Sequence, residues 1–447
     1  MSVYSGIYAR LALPALDLVR RRQYASHRHF LERSQWWSSD RLREFQWRAA
    51  YKLLACAFDS VPYYQEKYAR AGARLEDIRG WDDFAKLPSL TREEVNAHRQ
   101  DLCSRTFSGK LLPYATGGSS GVPTRFYRTF ESYDWRTAAR DRIYSFAGLI
   151  QGERAAYLWG APVGKVPKKA LVKEGVSNLV QRRLILNTFS QDERLWREVY
   201  EKVVSFRPHT VVGYVSSLRA FAAFLQEQGL RLPRLRGVIA AAEPLFSDSR
   251  EQIAAGFGAP VFNTYGCREF MSLAGECSLH QGMHINAENT LIEMEDPGVA
   301  SQLFVTDLHN YGMPFIRYEI GDVGILDDGT CPCGRGLPRL MRVEGRVLDT
   351  LTTSNGRVVP GEFFPHLLKD IPEIGEYQVV QRSITHIEIL ATMSRAISEG
   401  SRGLLDMEIR KVFGEPINWE ITTVDRIPRL QSGKQKVTVG INSTKSA

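Results

Sequence analysis

The sequence lacks long apolar runs. No stretch of about 18 apolar residues occurs in the chain of 447 residues, because the most apolar segment, at the amino terminus, is interrupted by Arg10, Asp17 and the run Arg20 to Arg22. A membrane-spanning helix needs about 20 consecutive apolar residues, so none is expected. The same segment has no charged start, uninterrupted apolar centre or cleavage site, and we therefore predict no secretory signal.

Cysteine is also scarce. The six cysteines are Cys56, Cys103, Cys267, Cys277, Cys331 and Cys333. So few cysteines in a chain of this length exclude a disulfide scaffold. We expect a cytoplasmic protein in which the cysteines are thiols or metal ligands.

Repeats and low-complexity tracts are absent, and the composition, with 43% hydrophobic and 24% charged residues, is that of a globular protein of several domains. The net charge of +8 favours anionic small molecules, acidic membranes and nucleic acid alike. The opening segment, with Arg10, Arg20 to Arg22, Arg28 and Arg33, could lie on an anionic membrane surface, although a solvated helix face is the favoured interpretation. We expect no nucleic-acid partner and at most peripheral membrane contact; no oligomeric state is indicated.

The pattern of apolar residues predicts an α/β fold. Residues 1–105 have helical spacing and include a capping box at Thr91 and Glu94. Between about residues 110 and 345, short apolar runs alternate with amphipathic segments, which favours a largely parallel sheet. The predicted strands are 155–158, 210–213, 237–242, 260–265 and 302–307, and the clearest helices are 191–205, with a capping box at Ser190 and Glu193, and 216–228.

A polar, glycine-containing connector between Glu344 and Pro360 suggests a domain boundary. We place it near Asp349, which gives a large domain over residues 1–348 and a small α+β domain over residues 349–447. The small domain is predicted to contain strands at 377–382, 386–390 and 417–424 and a helix at 403–413.

A segment rich in glycine and hydroxyl groups reads A-T-G-G-S-S-G-V-P from Ala115 to Pro123. Its glycines allow the backbone to approach an anion, and the hydroxyls of Thr116, Ser119 and Ser120 supply donors. The segment does not match G-x-x-x-x-G-K-[ST], so the P-loop machinery of kinases and GTPases is not implied. It predicts a phosphate cradle, with a plain surface turn as the alternative.

Two further segments carry groups suited to a nucleotide. The run N-T-Y-G-C-R-E follows an apolar strand; there Tyr265 could pack on a nucleobase and Glu269 could ligate Mg²⁺, or both could cap the next helix. Asp322 follows Gly321 at the end of a strand and could accept both ribose hydroxyls, unless this pair forms a plain turn.

Five motifs stand in one order: A-T-G-G-S-S-G-V-P, Y-G-C-R-E, M-P-F-I-R-Y-E-I-G-D, E-G-R-V-L-D and, near the carboxyl terminus, S-G-K. Together they resemble the adenylate-forming (AMP-forming) ligases, specifically the phenylacetate–coenzyme A ligase and CapK-like branch, over about residues 40 to 440. The resemblance implies a large amino-terminal α/β domain and a small mobile α+β domain. It also implies two half-reactions: a carboxylate and ATP give an acyl adenylate and pyrophosphate, and a thiol then attacks.

The resemblance also implies site residues at the matching positions. These are Thr116, Gly117, Gly118, Ser119, Ser120 and Gly121 for the β- and γ-phosphates, Glu269 for Mg²⁺, Ala241, Ala242, Glu243, Pro244, Tyr265 and Gly266 around adenine, Asp322 for the ribose with Arg346 beside it, Asp349 as the hinge and Lys434 as the catalytic lysine. A cation such as Lys434 between the attacking carboxylate and the α-phosphate offsets the repulsion of two anions. Without the resemblance, a solvated lysine near the terminus is the favoured interpretation.

A separate set of cysteine and histidine residues suggests a metal site. Cys277 and His280 form C-x₂-H, and Cys331 and Cys333 form C-x-C; three cysteines and one histidine are a common tetrahedral set for structural Zn²⁺. His284 competes with His280 as the fourth ligand. Buried free thiols with a surface histidine are the alternative. Cys267 is interpreted as a core thiol rather than a nucleophile.

The sequence therefore predicts an ATP-dependent, AMP-forming acid–thiol ligase that activates a carboxylate, an aromatic acid being one candidate, and passes it to coenzyme A or another acceptor. One alternative is a CapK-like ligase that transfers the acyl or adenylyl group to an amine, sugar or phenolic acceptor in polysaccharide or secondary metabolite biosynthesis. Another is a non-catalytic nucleotide-binding or membrane-peripheral protein. The expected ligands are ATP, Mg²⁺, the carboxylate, coenzyme A as co-substrate and structural Zn²⁺.

Overall fold

The computed structural model describes residues 3–116, 124–159, 168–188, 193–295, 301–327, 329–344, 351–354, 358–359, 361, 363–368, 371–414, 417–427 and 437–441. None of the helices in these ranges is both long enough and apolar enough to cross a membrane.

The amino-terminal segment is helical, as the sequence predicts. Its helices are α1 (Val3–Ile7), α2 (Leu13–Arg20), α3 (Tyr24–Ser34), α4 (Ser39–Ser60), α5 (Pro62–Arg70), α6 (Trp81–Phe84) and α7 (Arg92–Ala97). A π-helical turn, Tyr8–Ala12, makes α1 and α2 one continuous helical segment. The predicted capping box of α7 is confirmed: the Glu94 N–H donates to Thr91 Oγ1 at 3.2 Å, and the Thr91 N–H donates to the Glu94 carboxylate at 2.7 Å.

The central feature is a sheet of eleven strands. The strands up to residue 344 are β1 (Leu112–Ala115), β2 (Arg125–Arg128), β3 (Ala155–Trp159), β4 (Arg183–Asn187), β5 (Thr210–Tyr214), β6 (Gly237–Ala241), β7 (Val261–Cys267), β8 (Met271–Glu276), β9 (Met283–Ile285), β10 (Thr290–Met294), β11 (Ser301–Asp307), β12 (Tyr318–Asp327) and β13 (Arg339–Glu344). β1 and β2 form a separate ribbon, and the others have the order β10-β11-β12-β13-β9-β8-β7-β6-β5-β3-β4.

Half of this sheet is parallel and carries the helices that the alternating pattern predicts. β4, β3, β5, β6 and β7 pair in parallel. The helices between residues 130 and 257 are α8 (Phe130–Phe146), α9 (Lys168–Val180), α10 (Glu193–Phe206), α11 (Val215–Glu227) and α12 (Ser247–Phe257). The predicted cap of α10 at Ser190 lies outside the described residues.

The expectation of a largely parallel sheet is wrong for the other half. From β7 through β13 every pairing is antiparallel. The connections here are too short to carry a strand back to the same end of the sheet, and a parallel crossover needs about a dozen residues. For example, only residues 268–270 separate β7 from β8.

The largest hydrophobic core lies between the antiparallel half of the sheet and the amino-terminal helices. Leu53, Leu54 and Ala57 of α4 pack there, together with Tyr64 and Tyr68 of α5, which stack at 5.2 Å. The Tyr64 hydroxyl donates to the Pro314 carbonyl and accepts from the Ile316 N–H, both at 3.1 Å. This core therefore fixes the 313–318 segment, which begins the strand that carries Asp322.

The carboxyl-terminal part forms a small α+β module. Its elements are β14 (Leu351–Thr352), β15 (Val358–Val359), α13 (Phe363–Leu368), β16 (Ile374–Ser383), β17 (His386–Met393), α14 (Glu399–Phe413), β18 (Asn418–Thr423) and β19 (Thr438–Val439). The order β18-β17-β16-β19 makes one sheet with its own core. Tyr214, at the end of β5, is 1% exposed and packs into that core. The predicted boundary between residues 348 and 349 lies outside the described residues and stays a prediction.

Candidate active site

The carboxyl edge of the parallel strands carries the first group of predicted site residues. β6 ends at Ala241, and Ala242 follows with a φ of 67°, which is left-handed backbone that a residue with a Cβ adopts at a cost of about 1–2 kcal/mol. Such strain concentrates at ligand sites. The segment from Ala241 to Pro244 thus has the backbone of a binding loop.

Glu243 has a more specific role than lining a pocket. Its carboxylate accepts the Ser216 N–H at 2.6 Å and the Ser216 hydroxyl at 2.9 Å. Ser216 lies in the first turn of α11, where the helix dipole favours a negative charge. Burial raises the pKa of Glu243, although the two Ser216 donors oppose this. Glu243 therefore ties the loop after β6 to α11.

Tyr265 and Asp322, from distant parts of the sequence, meet directly. The Tyr265 hydroxyl donates to Asp322 Oδ2 at 2.8 Å. Tyr265 is on β7 and half-buried, whereas Asp322 is on β12 after Gly321, whose φ is 81°. The pair joins the parallel and antiparallel halves of the sheet at one edge. Gly266, next to Tyr265, must be glycine because an added Cβ would lie 1.9 Å from the Met271 carbonyl oxygen.

Glu269 lies in the short turn between β7 and β8 and is 4% exposed. Its Oε1 atom accepts from the Tyr318 hydroxyl at 3.3 Å and lies 3.8 Å from the Arg92 guanidinium. Arg92 is partly buried, with its side chain 11% exposed. Burial lowers its pKa, but the neighbouring Tyr318 and Glu269 raise the pKa overall, so the cation persists. From the other side, Arg136 of α8 donates to the Glu269 carbonyl.

Cys267, at the end of β7, is close to Glu269 and Asp322. Burial raises the pKa of its thiol well above the ordinary value, and the charges of Glu269 and Asp322 raise it further. A thiol that resists ionisation is a poor nucleophile. The geometry agrees with the interpretation of Cys267 as a core thiol, and it shows that Glu269 and Asp322 are both near this strand end.

The glycine-rich segment begins at the end of β1. The Thr116 N–H donates to the Thr124 carbonyl at 3.0 Å, and the Thr124 N–H donates to Thr116 Oγ1 at 2.8 Å, which closes the base of the loop. The Arg268 guanidinium lies 5.9 Å from the ring of Tyr114 in β1. The base of the loop is therefore next to the turn that carries Glu269.

Several predicted site residues lie outside the described residues. These are Gly117, Gly118, Ser119, Ser120, Gly121, Arg346, Asp349 and Lys434. The structure brings together Tyr265, Glu269 and Asp322, with Thr116 nearby. Their assigned roles stay predictions.

Sequence reasoning missed two buried ion pairs made by arginines of α8, one of which also contacts Glu269. Arg136 pairs with Asp307 at 2.5 Å, and Arg142 pairs with Glu288 at 2.7 Å, all four side chains being buried. Both arginines lie on α8, where charged residues face the core. From sequence alone, a helix with many charged residues is interpreted as exposed to solvent. The lack of an apolar stripe on α8 was the one sequence feature that could have indicated these buried pairs.

The cysteine and histidine residues form a second, separate cluster. Ligand atoms of Cys277, His284, Cys331 and Cys333 all lie within 4.8 Å of one another. Cys277 Sγ is 3.9 Å from Cys331 Sγ, and Cys333 Sγ is 3.4 Å from His284 Nε2. A tetrahedral zinc site with bonds of about 2.0–2.3 Å has edges of roughly 3.3–3.8 Å, so the donor set fits Zn²⁺ closely.

His280 is replaced by His284 in this set. His280 Nδ1 lies 3.0 Å from Glu276 Oε2 and 3.3 Å from Arg250, so its ring belongs to a polar network. His284 lies on β9, is fully buried and has its pKa lowered by burial to about 4, which keeps the imidazole neutral. The spacing C-x₂-H favoured His280, but β9 turns His284 towards the two cysteines of the 331–333 loop.

Comparison with known proteins supports the resemblance. Residues 351–440 match the family model of the CapK C-terminal domain. The chain is 26% identical to a phenylacetate–coenzyme A ligase of Thermus thermophilus over 417 residues, covering 89% of each chain. It is 22% identical to protein CapK of Staphylococcus aureus, covering 79% of each.

A solved 2-hydroxyisobutyryl-CoA ligase, in complex with 2-HIB-AMP and CoA in the thioesterification state, has the same fold. The TM-score is 0.59 at 20% identity, and the alignment covers 92% of this chain and 93% of that one. The same enzyme in an open conformation gives a TM-score of 0.54. The fold is that of the adenylate-forming ligases, and the resemblance to the phenylacetate–coenzyme A ligase and CapK-like branch is confirmed.

Proposed function

We propose that the chain is an AMP-forming ligase that activates a carboxylic acid with ATP and transfers the acyl group to coenzyme A. The observation that carries this proposal is the convergence of Tyr265, Glu269 and Asp322 at one edge of the sheet, beside the base of the glycine-rich loop. The relatives named as phenylacetate–coenzyme A ligases, similar over most of the chain, support the same reaction.

In the first half-reaction, an oxygen of the substrate carboxylate attacks the α-phosphorus of ATP. The new bond is oxygen to phosphorus, the bond between the α-phosphorus and its bridging oxygen breaks, and pyrophosphate leaves. Asp322 would accept the ribose hydroxyls, with Tyr265 holding its carboxylate at 2.8 Å and placing a ring beside the adenine. The loop that starts at Thr116 would enclose the leaving phosphates.

Mg²⁺ suits this site because carboxylate and phosphate oxygens are its preferred ligands, and bound there it would neutralise charge on the phosphates. Glu269 is the residue that would hold it. Tyr318 and Arg92 contact its Oε1 atom and would hold the carboxylate in place for that role.

In the second half-reaction, the sulfur of coenzyme A attacks the acyl carbonyl carbon, the mixed anhydride bond breaks, and AMP leaves with the electron pair. The thiol proton passes to solvent. Lys434 would act only in the first half-reaction, where it bridges the attacking carboxylate and the α-phosphate. Arg346 would lie beside the ribose, and Asp349 would be the hinge that exchanges the two arrangements.

A second candidate acceptor is favoured by one observation. The small module matches the CapK C-terminal domain over residues 351–440, so that the part of the chain expected to shape the second half-reaction is CapK-like. An amine, sugar or phenolic hydroxyl would then take the place of the thiol. The chemistry of the first half-reaction would be unchanged.

The deciding experiment is pyrophosphate release from ATP with a panel of carboxylic acids that includes aromatic acids. Products are then analysed by mass spectrometry with and without coenzyme A. Acid-dependent release of pyrophosphate with a thioester product supports the proposed acid–coenzyme A ligase. Acid-dependent release without a thioester product supports an acceptor other than coenzyme A. A protein that binds ATP and releases no pyrophosphate with any acid would instead be the non-catalytic nucleotide-binding alternative.

We also propose that the Cys277, His284, Cys331 and Cys333 cluster holds a structural Zn²⁺. Four protein ligands leave no open position for chemistry. The cluster lies beside the amino-terminal helices, since Arg335 donates to Gln35 Oε1 at 2.8 Å and the Gly336 N–H donates to the Gln35 carbonyl at 3.1 Å. None of the six cysteines, all of which lie in the described residues, forms a disulfide, which fits a cytoplasmic location.

A further inference from the structure

The first helical segment, residues 3–20, presents its apolar side to solvent. Val3, Ile7, Leu11, Pro14 and Leu18 are all exposed and recur every three or four residues, the spacing of one helix face. Leu11 is 66% and Leu18 82% exposed. A helix that packed on the protein in the ordinary way would turn this stripe inward.

The inward side of the same segment is already in use. Ser5, Tyr8 and Leu13 are buried and form the side of the segment that packs on the protein. Tyr8 and Ser5 pack on Gly152, where an added Cβ would meet Tyr8 Cβ at 3.0 Å. The segment therefore packs on the protein through the side that carries these buried residues. The apolar stripe remains exposed in the folded chain.

A second helix, α9, continues the exposed apolar area. Val172, Val176 and Leu179 share one face and are 67%, 57% and 78% exposed. The two helices meet where the Tyr4 hydroxyl donates to the Val180 carbonyl at 2.8 Å. More than half of the exposed large apolar side chains in the described part of the chain lie on these two helices. So many exposed apolar side chains on two helices in contact mark an interaction surface.

The charges around this area are mostly positive. Arg10, Arg20 and Arg21 flank the first stripe and Lys173 lies on α9, all of them exposed, whereas Glu174 is the exposed acid on α9. Asp17, the acidic residue of the first segment, accepts the Ala25 N–H at 2.6 Å, so its carboxylate is engaged within the protein.

An open cleft beside the junction adds more cations. Its volume is about 720 Å³, and Arg154, Arg182, Arg183 and Lys202 line it, with Glu201 as the acid among the lining residues. Arg182 also lies 4.5 Å from the ring of Tyr4. Apolar side chains with a basic border are the composition of a helix that lies in the interface of an anionic bilayer.

We propose that the outward faces of residues 3–20 and α9, with the basic cleft beside their junction, form a surface that binds anionic lipid bilayers. We call it the bilayer surface. The apolar stripes enter the boundary between headgroups and acyl chains, and the arginines contact lipid phosphates. The sequence alone favoured a solvated face for the amino-terminal arginines; the exposed stripe reverses that preference.

The bilayer surface lies at the opposite edge of the parallel strands from the candidate active site. Gly152 and Arg182 precede β3 and β4, whereas the loop after β6 follows the other ends of the parallel strands. The proposal does not depend on the ligase activity. Membrane binding should leave the carboxyl edge of the sheet facing the aqueous phase.

The test is co-sedimentation of the full chain with sucrose-loaded vesicles. Vesicles of three parts phosphatidylcholine to one part phosphatidylglycerol are compared with pure phosphatidylcholine, each over a series of salt concentrations. We expect binding to the anionic vesicles that weakens with salt, and much weaker binding to the neutral ones. A chain that sediments no more with anionic vesicles than without vesicles overturns the proposal.

Paired variants locate the binding. Leu11→Glu with Leu18→Glu should lower the partition coefficient by about tenfold or more, whereas Leu11→Phe with Leu18→Phe should retain it. Matched controls are Ile384→Glu and Met407→Glu, which alter exposed apolar side chains of the small module. If the Leu11 and Leu18 glutamate variant binds as the parent does, the bilayer surface is wrong.

Light scattering after gel filtration tests for a different occupant. If the parent is a dimer and the glutamate variant of Leu11 and Leu18 is a monomer, a second copy covers the stripe, and the proposal is overturned. A parent and variant of the same size, with vesicle binding lost only in the variant, support it. Pyrophosphate release should be the same in both proteins, because neither leucine lies near the candidate active site.

Discussion

The hydrogen bond between Tyr265 and Asp322 is the contact through which the candidate nucleotide site can be tested one atom at a time. A hydrogen bond to a charged group contributes about 1.5–3 kcal/mol. We expect Asp322→Ala to raise the KM for ATP by about 10–100-fold, because both ribose contacts are lost.

Tyr265→Phe should have a smaller effect, about fivefold on the same KM, since it removes one hydroxyl and keeps the ring. The double variant should cost less than the sum, because Tyr265 acts through Asp322. Tyr157→Phe, a half-buried tyrosine of β3, is the control. An unchanged KM in Asp322→Ala would remove Asp322 from the site.

Lys434 gives a prediction for a single half-reaction. Lys434→Ala should lower kcat for adenylation by about 100–1,000-fold, or about 2.7–4 kcal/mol, because one electrostatic contact made in the transition state is lost. Transfer from a supplied acyl adenylate should be largely retained. Equal loss in the two assays would contradict the assignment of Lys434 to adenylation.

At this scale the sequence offered candidate site residues but not their surroundings. Tyr265, Glu269 and Asp322 could be chosen because their chemistry suits a nucleotide and because the motif order resembles a ligase. Arg92 and Arg136 could not be chosen in this way, because in the sequence an arginine that contacts Glu269 cannot be distinguished from a surface arginine. His284 was an open alternative because spacing cannot tell which way β9 faces.

Among the elements, the loops of the metal cluster offer a direct measurement. Purified protein should carry about one equivalent of zinc, and Cys331→Ser should release it and lower the melting temperature by several degrees, because a structural metal contributes folding energy. Affinity for ATP should change little in the folded fraction. Cys103→Ser is the matched control, as Cys103 lies outside the cluster. A metal-free preparation of full stability would contradict the zinc site.

Helices α3 and α8 are joined by a stack of rings that makes stability depend on pH. Trp135 lies between His309, at 4.0 Å, and His27, at 4.2 Å. Burial lowers the pKa of His309 from 6.5 to about 4, so the unfolded chain binds a proton in this range before the folded chain does. The contribution of His309 is therefore complete above pH 6.5 and is lost as the pH falls towards 4.

We expect the free energy of unfolding to fall by at most about 1.4 kcal/mol per pH unit for this one histidine. Urea unfolding of the parent and of His309→Gln at several pH values between 7 and 5 measures the difference. The slope against pH should be smaller in the variant. Parallel slopes would show that His309 is protonated in the folded state as easily as in the unfolded chain.

Helices and strands were predictable where the local sequence pattern is compatible with a single type of element. β3, β5 and β6 were expected within a residue or two of their observed bounds, because a short apolar run between helices is typical of a buried parallel strand. The direction of pairing after β7 was not predictable, since it follows from the lengths of connections and from bulges that local patterns do not encode. The capping box of α7 was predicted correctly because its signal is entirely local.

For the whole molecule, the connector at Asp349 is expected to let the small module rotate. Asp349→Pro would fix φ near −65° and remove a donor, which should hold the module in one orientation. If that is the adenylating orientation, pyrophosphate release in a single turnover survives while transfer to the acceptor collapses; the other orientation reverses the pattern. Both half-reactions at the parent rate would mean that the module is a fixed lid.

The position of Tyr214 has a consequence for the resting populations of these orientations. Its ring is buried in the core of the small module and stacks on Trp159 at 4.3 Å. Rotation of the module would return part of that ring to water, at roughly 1–2 kcal/mol. The unliganded chain should then spend about nine tenths of its time or more in one orientation, and a ligand that needs the other orientation would bind about tenfold more weakly or worse.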